Sequence, residues 1–78
     1  MRSFGDIQFV CKALFELTGI RYTIEIYSNC FLVKFWAGKK NKKYGELCEN
    51  FIDSFPDAYF LRSQPKRTTF HVPVFTNL

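Results

Sequence analysis

The run Arg21-Tyr22-Thr23-Ile24-Glu25-Ile26-Tyr27, the pair Ser28-Asn29 and the run Cys30-Phe31-Leu32-Val33-Lys34-Phe35-Trp36 decide the fold. In the first run Tyr22, Ile24 and Ile26 alternate with Arg21, Thr23, Glu25 and Tyr27, the two-residue period of a half-buried strand. A two-residue turn at Ser28-Asn29 sets Tyr27 against Cys30, Ile26 against Phe31, Ile24 against Val33 and Tyr22 against Phe35. One face of that hairpin, Tyr22, Ile24, Ile26, Phe31, Val33 and Phe35, is apolar throughout. It is the core face, because a slip of one residue would turn all six toward solvent. The other face carries Arg21, Thr23, Glu25, Tyr27, Cys30, Leu32, Lys34 and Trp36, an odd mixture for a surface in water.

A helix is expected on each side of the hairpin. From Ser3 to Thr18, Ile7, Val10, Cys11, Leu14 and Leu17 recur at three- and four-residue spacing and form one stripe. Ser3 and Asp6 make a capping box, and Gly19 offers a left-handed exit with Ile20 folding back on Phe15. After the basic loop Gly38-Lys39-Lys40-Asn41-Lys42-Lys43, a second helix runs to about Phe55, with Asn41 as its N-cap. Tyr44, Leu47, Cys48, Phe51 and Phe55 are its buried stripe, and Pro56 stops it. Ala58 to Phe75 is β-rich: Tyr59-Phe60-Leu61 and Thr68 to Val74 flank the polar turn Arg62-Ser63-Gln64-Pro65-Lys66-Arg67. That segment reads either as a hairpin or as one strand and a tail. The order is α-β-β-α-β, with a further strand left open. It predicts a two-layer α+β domain, an antiparallel sheet with two helices packed on one face, as a single domain over residues 1–78. Ferredoxin-like folds have a similar element order with an additional opening strand, a likeness of architecture that carries no function.

Composition narrows the function classes. Of 78 residues, 47% are hydrophobic and 19% aromatic, far above what a disordered chain carries. The balance of 11 Lys and Arg against 7 Asp and Glu leaves a formal charge of +4, which mildly favours acidic partners. Three cysteines, an odd number, argue against a disulfide-stapled secreted domain. The N-terminus meets Asp6 before any apolar run, unlike a signal peptide, and no apolar stretch approaches membrane-spanning length. The expectation is a cytoplasmic chain with no membrane association.

Catalytic and metal-binding patterns are missing from the sequence. Cys11 and Cys48 lie on buried helix stripes, and nothing around Cys30 or the single histidine, His71, marks a nucleophile and its base. Cys11, Cys30, Cys48 and His71 are too far apart in sequence for a structural zinc site, whose ligands come in close pairs. Glu46, Glu49 and Asp53 space out along the outer face of the second helix as a solvated stripe. No phosphate loop is present. No catalytic residue, metal or cofactor is therefore expected.

Two features remain. Lys39, Lys40, Lys42 and Lys43 stand at the head of the second helix, with Glu49 and Asp53 toward its end, both against the helix dipole. One account is an anion held by these lysines and free backbone N–H groups, with Arg62, Lys66 and Arg67 adding to the field; the other is simple solubility. The lysines resemble those at the head of the last helix in double-stranded-RNA-binding domains. Those domains put three strands between their helices where this chain has two, so their function is not carried over. The second feature is the hairpin's outer face, where Tyr27, Leu32, Lys34 and Trp36 project and Arg21 is placed to stack on Trp36. It reads as a protein interface, a base-stacking surface, a homodimer contact, or a face covered by the C-terminal segment with Phe75 and Leu78.

The expected function is that of a non-enzymatic binding protein docking on a protein or ribonucleoprotein complex. Its chain type fits a phage inhibitor of a larger machine, such as an anti-CRISPR or other anti-defence protein. Arg21, Tyr27, Leu32, Lys34 and Trp36 would be the anchors, and the lysines would steer association. The alternatives are a direct nucleic-acid phosphate binder through the lysine loop, and a self-associating domain.

Overall fold

Ser3 opens the first helix as predicted. The Asp6 backbone N–H donates to Ser3 Oγ at 3.3 Å and the Ser3 N–H to Asp6 Oδ2 at 3.0 Å, closing the capping box. The structure, a computed structural model, describes residues 1–75. Its elements are α1 (Phe4–Thr18), β1 (Tyr22–Ile26), β2 (Cys30–Phe35), α2 (Tyr44–Ser54), β3 (Tyr59–Gln64) and β4 (Arg67–Pro73). Gly19 leaves α1 with φ of 75°, the left-handed turn that a side chain would disfavour.

All four strands form one antiparallel sheet in the order β1-β2-β4-β3, with both helices against the same face. The first hairpin has the register its pattern requires, from Tyr22 opposite Phe35 to Ile26 opposite Phe31. The C-terminal segment is a hairpin too. Its strands continue through Ser63-Gln64 and resume at Arg67, leaving only Pro65-Lys66 as the turn. The polar residues that suggested a longer loop lie on β3, an edge strand, where solvated side chains are normal. Arg62 and Arg67 are thus strand residues, and a bulge between Phe60 and Arg62 shifts the register.

Three further expectations change. Helix α2 begins at Tyr44 with Lys43 as its N-cap residue, because Asn41 is used in the preceding turns. The Asn41 N–H donates to the Gly38 carbonyl, the Tyr44 N–H to the Asn41 carbonyl, and the Lys43 N–H to Asn41 Oδ1 at 2.8 Å. Leu17 is half exposed, lying about 60° around the helix from Leu14. Ile26 is exposed as well, at the hairpin end of edge strand β1.

The core joins Ile7, Cys11 and Leu14 of α1 and Leu47 and Phe51 of α2 to Phe31, Val33, Phe35, Phe70 and Val72 of the inner strands. Phe51 is its hub, with ring centroids 5.2 Å from Phe35, 5.2 Å from Phe55 and 4.7 Å from Phe70.

Arg2 ties the N-terminal end to this frame. Its guanidinium donates to both Asp57 carboxylate oxygens, at 3.1 and 2.8 Å, and to the Pro73 carbonyl at 2.6 Å, while lying 5.0 Å from the Phe55 ring centroid. Those hydrogen bonds hold the Asp57 carboxyl below its ordinary value of 3.8. A lowered native value stabilises the fold above the unfolded value, and the contribution is lost as pH falls through the native one. In urea denaturation, Asp57→Asn should therefore be less stable than the parent at pH 7, with a smaller gap at pH 3. A gap of equal size at both values would refute the linkage.

Candidate anion-binding surface

Helices cover one face of the sheet, so the strand alternation delivers the other to solvent. By register that face holds Thr23 and Glu25 from β1, Leu32 and Lys34 from β2, Arg67, Thr69 and His71 from β4, and Tyr59, Arg62 and Gln64 from β3. Tyr27 and Trp36 stand just past the ends of β1 and β2, 50% and 47% exposed.

At the Tyr27 end the charges are already satisfied. Lys34 Nζ donates to Glu25 Oε2 at 2.6 Å, and the Tyr27 hydroxyl to Glu25 Oε1 at 2.8 Å. Lys34 first, then Tyr27, hold the Glu25 carboxyl below its usual range, and the same bond to Glu25 raises the Tyr27 hydroxyl. Tyr27 and Lys34, two of the expected anchors, are thus bound to each other through a carboxylate.

The Trp36 end is different. There the loop after β2 folds onto the β3–β4 turn. The Thr68 hydroxyl donates to the Ala37 carbonyl at 3.0 Å in a buried bond. Gly38 then lies so close to the Gln64 and Pro65 backbone that a Cβ would fall inside contact distance of both carbonyl oxygens. That approach delivers Lys39 and Lys40 beside Gln64 and Pro65, and Lys66 and Arg67 beside Trp36. An open groove of about 620 Å³ is lined by Trp36, Gln64, Pro65, Lys66 and Arg67. A second lies along Lys39, Lys40, Ser63, Gln64 and Pro65, a third runs from Trp36 to Lys40 and Asn41, and a fourth is formed by Arg21, Tyr22, Thr23 and Trp36. Among the described residues no carboxylate lines any of the four.

The cation over Trp36 is Arg67, its guanidinium carbon 5.5 Å from the ring centroid, in place of the Arg21 expected from the sequence. Arg21 instead accepts the Trp36 N–H on its backbone carbonyl at 2.9 Å and lines the groove on the β1 side. The reason is topological: β4 pairs with β2 along the inner seam, which places Arg67 beside Trp36.

The structure thus brings together Arg21, Trp36, Lys39, Lys40, Lys66 and Arg67. Leu32, Lys34 and Arg62 line a neighbouring groove with Leu61, Arg67 and Thr69, in the middle of the open face. Lys42 and Lys43 stand at the head of α2, where Lys43 pairs with Glu46 at 3.4 Å in the first turn. That glutamate answers the unfavourable charge at the helix start. Gln64 and Pro65 were not singled out in the sequence, nor was the stack of Tyr59 on His71, with centroids 4.5 Å apart. The His71 Nδ1 is buried there without a hydrogen-bond partner. None of these carries a sequence motif; only the β3–β4 register brings them into view.

Val74 and Phe75 lie at the opposite end of the sheet. The Val74 N–H donates to the Asn29 carbonyl at 3.1 Å, and Phe75 is itself 61% exposed; Leu78 lies outside the described residues. Burial pushes the Cys11 thiol up to about 12 and raises Cys48 as well, which withholds the thiolate a nucleophile needs. Among the described residues no three of His, Cys, Asp and Glu cluster as metal ligands, and no helix is long and apolar enough to cross a membrane.

The fold and this surface define a two-layer α+β domain with one open, basic and aromatic sheet face. Compared with family models, curated proteins and solved structures, the chain matches none.

Proposed function

We propose that the protein is a non-enzymatic binding module that holds a nucleic-acid phosphate backbone at the Trp36 end of its open face. The observation that carries this reading is the convergence of Arg21, Lys39, Lys40, Lys66 and Arg67 on grooves that, among the described residues, no carboxylate lines. Cations gathered in this way repel one another and are relieved by a polyanion, which releases its own condensed counterions on binding.

Fluorescence anisotropy against short DNA and RNA, at about 50 and about 200 mM salt, tests it. Micromolar binding that collapses at the higher salt is expected. Lys39→Gln, Lys40→Gln and Lys66→Gln should each weaken all sequences alike and lower the salt slope by about one. Lys43→Gln, which removes a charge already paired with Glu46, should change little. Absence of binding at the lower salt would overturn the reading.

The half-exposed run Tyr59-Phe60-Leu61 on edge strand β3 supports a second reading. In it the module docks on a protein or ribonucleoprotein complex, as an anti-CRISPR or other anti-defence inhibitor would, with apolar anchors on β3 and lysines steering the approach.

A further inference from the structure

We infer that the strand held at this site is single, with one base stacked in the groove between Trp36 and Pro65; the inference rests on the phosphate-binding reading above. A cation cluster alone would serve a duplex equally well, since phosphates are all that such a cluster reads. Trp36 breaks that equivalence. Its ring stands half exposed among the lysines, and a duplex keeps its base faces inside the stack, where no side chain from a sheet reaches them.

The groove beside the ring suits a planar heterocycle. Its volume of about 620 Å³ lies within the range of small-ligand pockets, roughly 300–1,000 Å³. Trp36 and Pro65 supply its apolar surfaces, and Lys66 and Arg67 stand where the flanking phosphates of a stacked nucleotide would need charge. The wall is held before any ligand arrives. Arg67 Nη2 donates to Gln64 Oε1 at 2.9 Å, which fixes the guanidinium over the indole, and Gly38 locks the turn beneath. Aromatic rings beside such cations are the usual platform for unpaired bases, at about 1–3 kcal/mol per stacked base. The apolar run Tyr59 to Leu61 would suit a protein partner, but it meets a cationic groove only at Leu61, beside Lys34, Arg62 and Arg67. The Trp36 groove joins its ring directly to Lys66 and Arg67, and that charge complementarity selects the nucleic acid.

Trp36 is the single tryptophan, so its fluorescence reports the site directly in the intact chain. The test titrates the protein with a single-stranded oligonucleotide of about ten nucleotides, its abasic counterpart of equal charge, and a duplex of the same sequence. The base-bearing strand should quench Trp36 and bind roughly 5- to 150-fold more tightly than the abasic strand, which should leave the emission unchanged. Trp36→Ala, read by anisotropy, should erase that difference, and Trp36→Phe should restore part of it; circular dichroism establishes that both variants fold. Equal, salt-sensitive affinity for base-bearing and abasic strands would overturn this inference and leave the phosphate reading standing. Binding to no strand at about 50 mM salt would overturn both and turn the search to a protein partner.

Discussion

Gly38→Ala is expected to cost about 1–3 kcal/mol of stability and to weaken oligonucleotide binding more than any single lysine substitution. The reason is room rather than backbone freedom, since Gly19 is the only glycine with positive φ. A methyl group at Gly38 would meet the carbonyl oxygens of Gln64 and Pro65, and backbone cannot yield as a flexible side-chain end does. Either the loop lifts or the β3–β4 turn is pushed outward. Both movements strain the buried Thr68–Ala37 hydrogen bond and part Lys39 and Lys40 from Lys66. Urea denaturation followed by circular dichroism measures the first effect and anisotropy the second. An unchanged unfolding midpoint would show that the loop is not anchored there.

Phe51→Ala should be costlier still, at about 3–5 kcal/mol. Phe51 is fully buried and meets Phe35, Phe55 and Phe70, so its removal opens a cavity between α2 and the inner strands. A chain of 78 residues has roughly 4–12 kcal/mol in all, so the variant should lose a large share of its stability and melt well below the parent. A melting transition within a few degrees of the parent would show that the core closes around the gap.

Much of the architecture could be read before any coordinates. The hairpin register, the capping box at Ser3 and the buried positions Ile7, Cys11, Leu14, Leu47 and Phe51 follow from periodicity and short-range chemistry. The misreadings have identifiable causes. Period alone marks which side a residue faces, and Ile26 and Leu17 face apolar neighbours yet lie where no second layer reaches them. Arg62 to Arg67 looked like a loop because polar composition does not separate a turn from an edge strand. The candidate site was half visible: Trp36 and the lysines stood out, and their meeting did not. That meeting depends on a close approach between Gly38 and Pro65, residues 27 positions apart, and on β4 lying beside β2. Short-range pattern carries no information on either.

The strand order has a temporal side. Each hairpin joins neighbours in sequence, whereas the β2–β4 seam pairs Cys30 with Pro73 and Phe35 with Thr68, closing a loop of roughly 40 residues. Such distant closure governs folding speed, because its entropy is lost before its contacts form. Synthesis runs from the N-terminus, so Trp36 and the lysines emerge well before Arg67 and Thr68. A growing chain therefore carries Trp36, Lys39 and Lys40 before the groove exists, and the groove closes only when β4 pairs with β2.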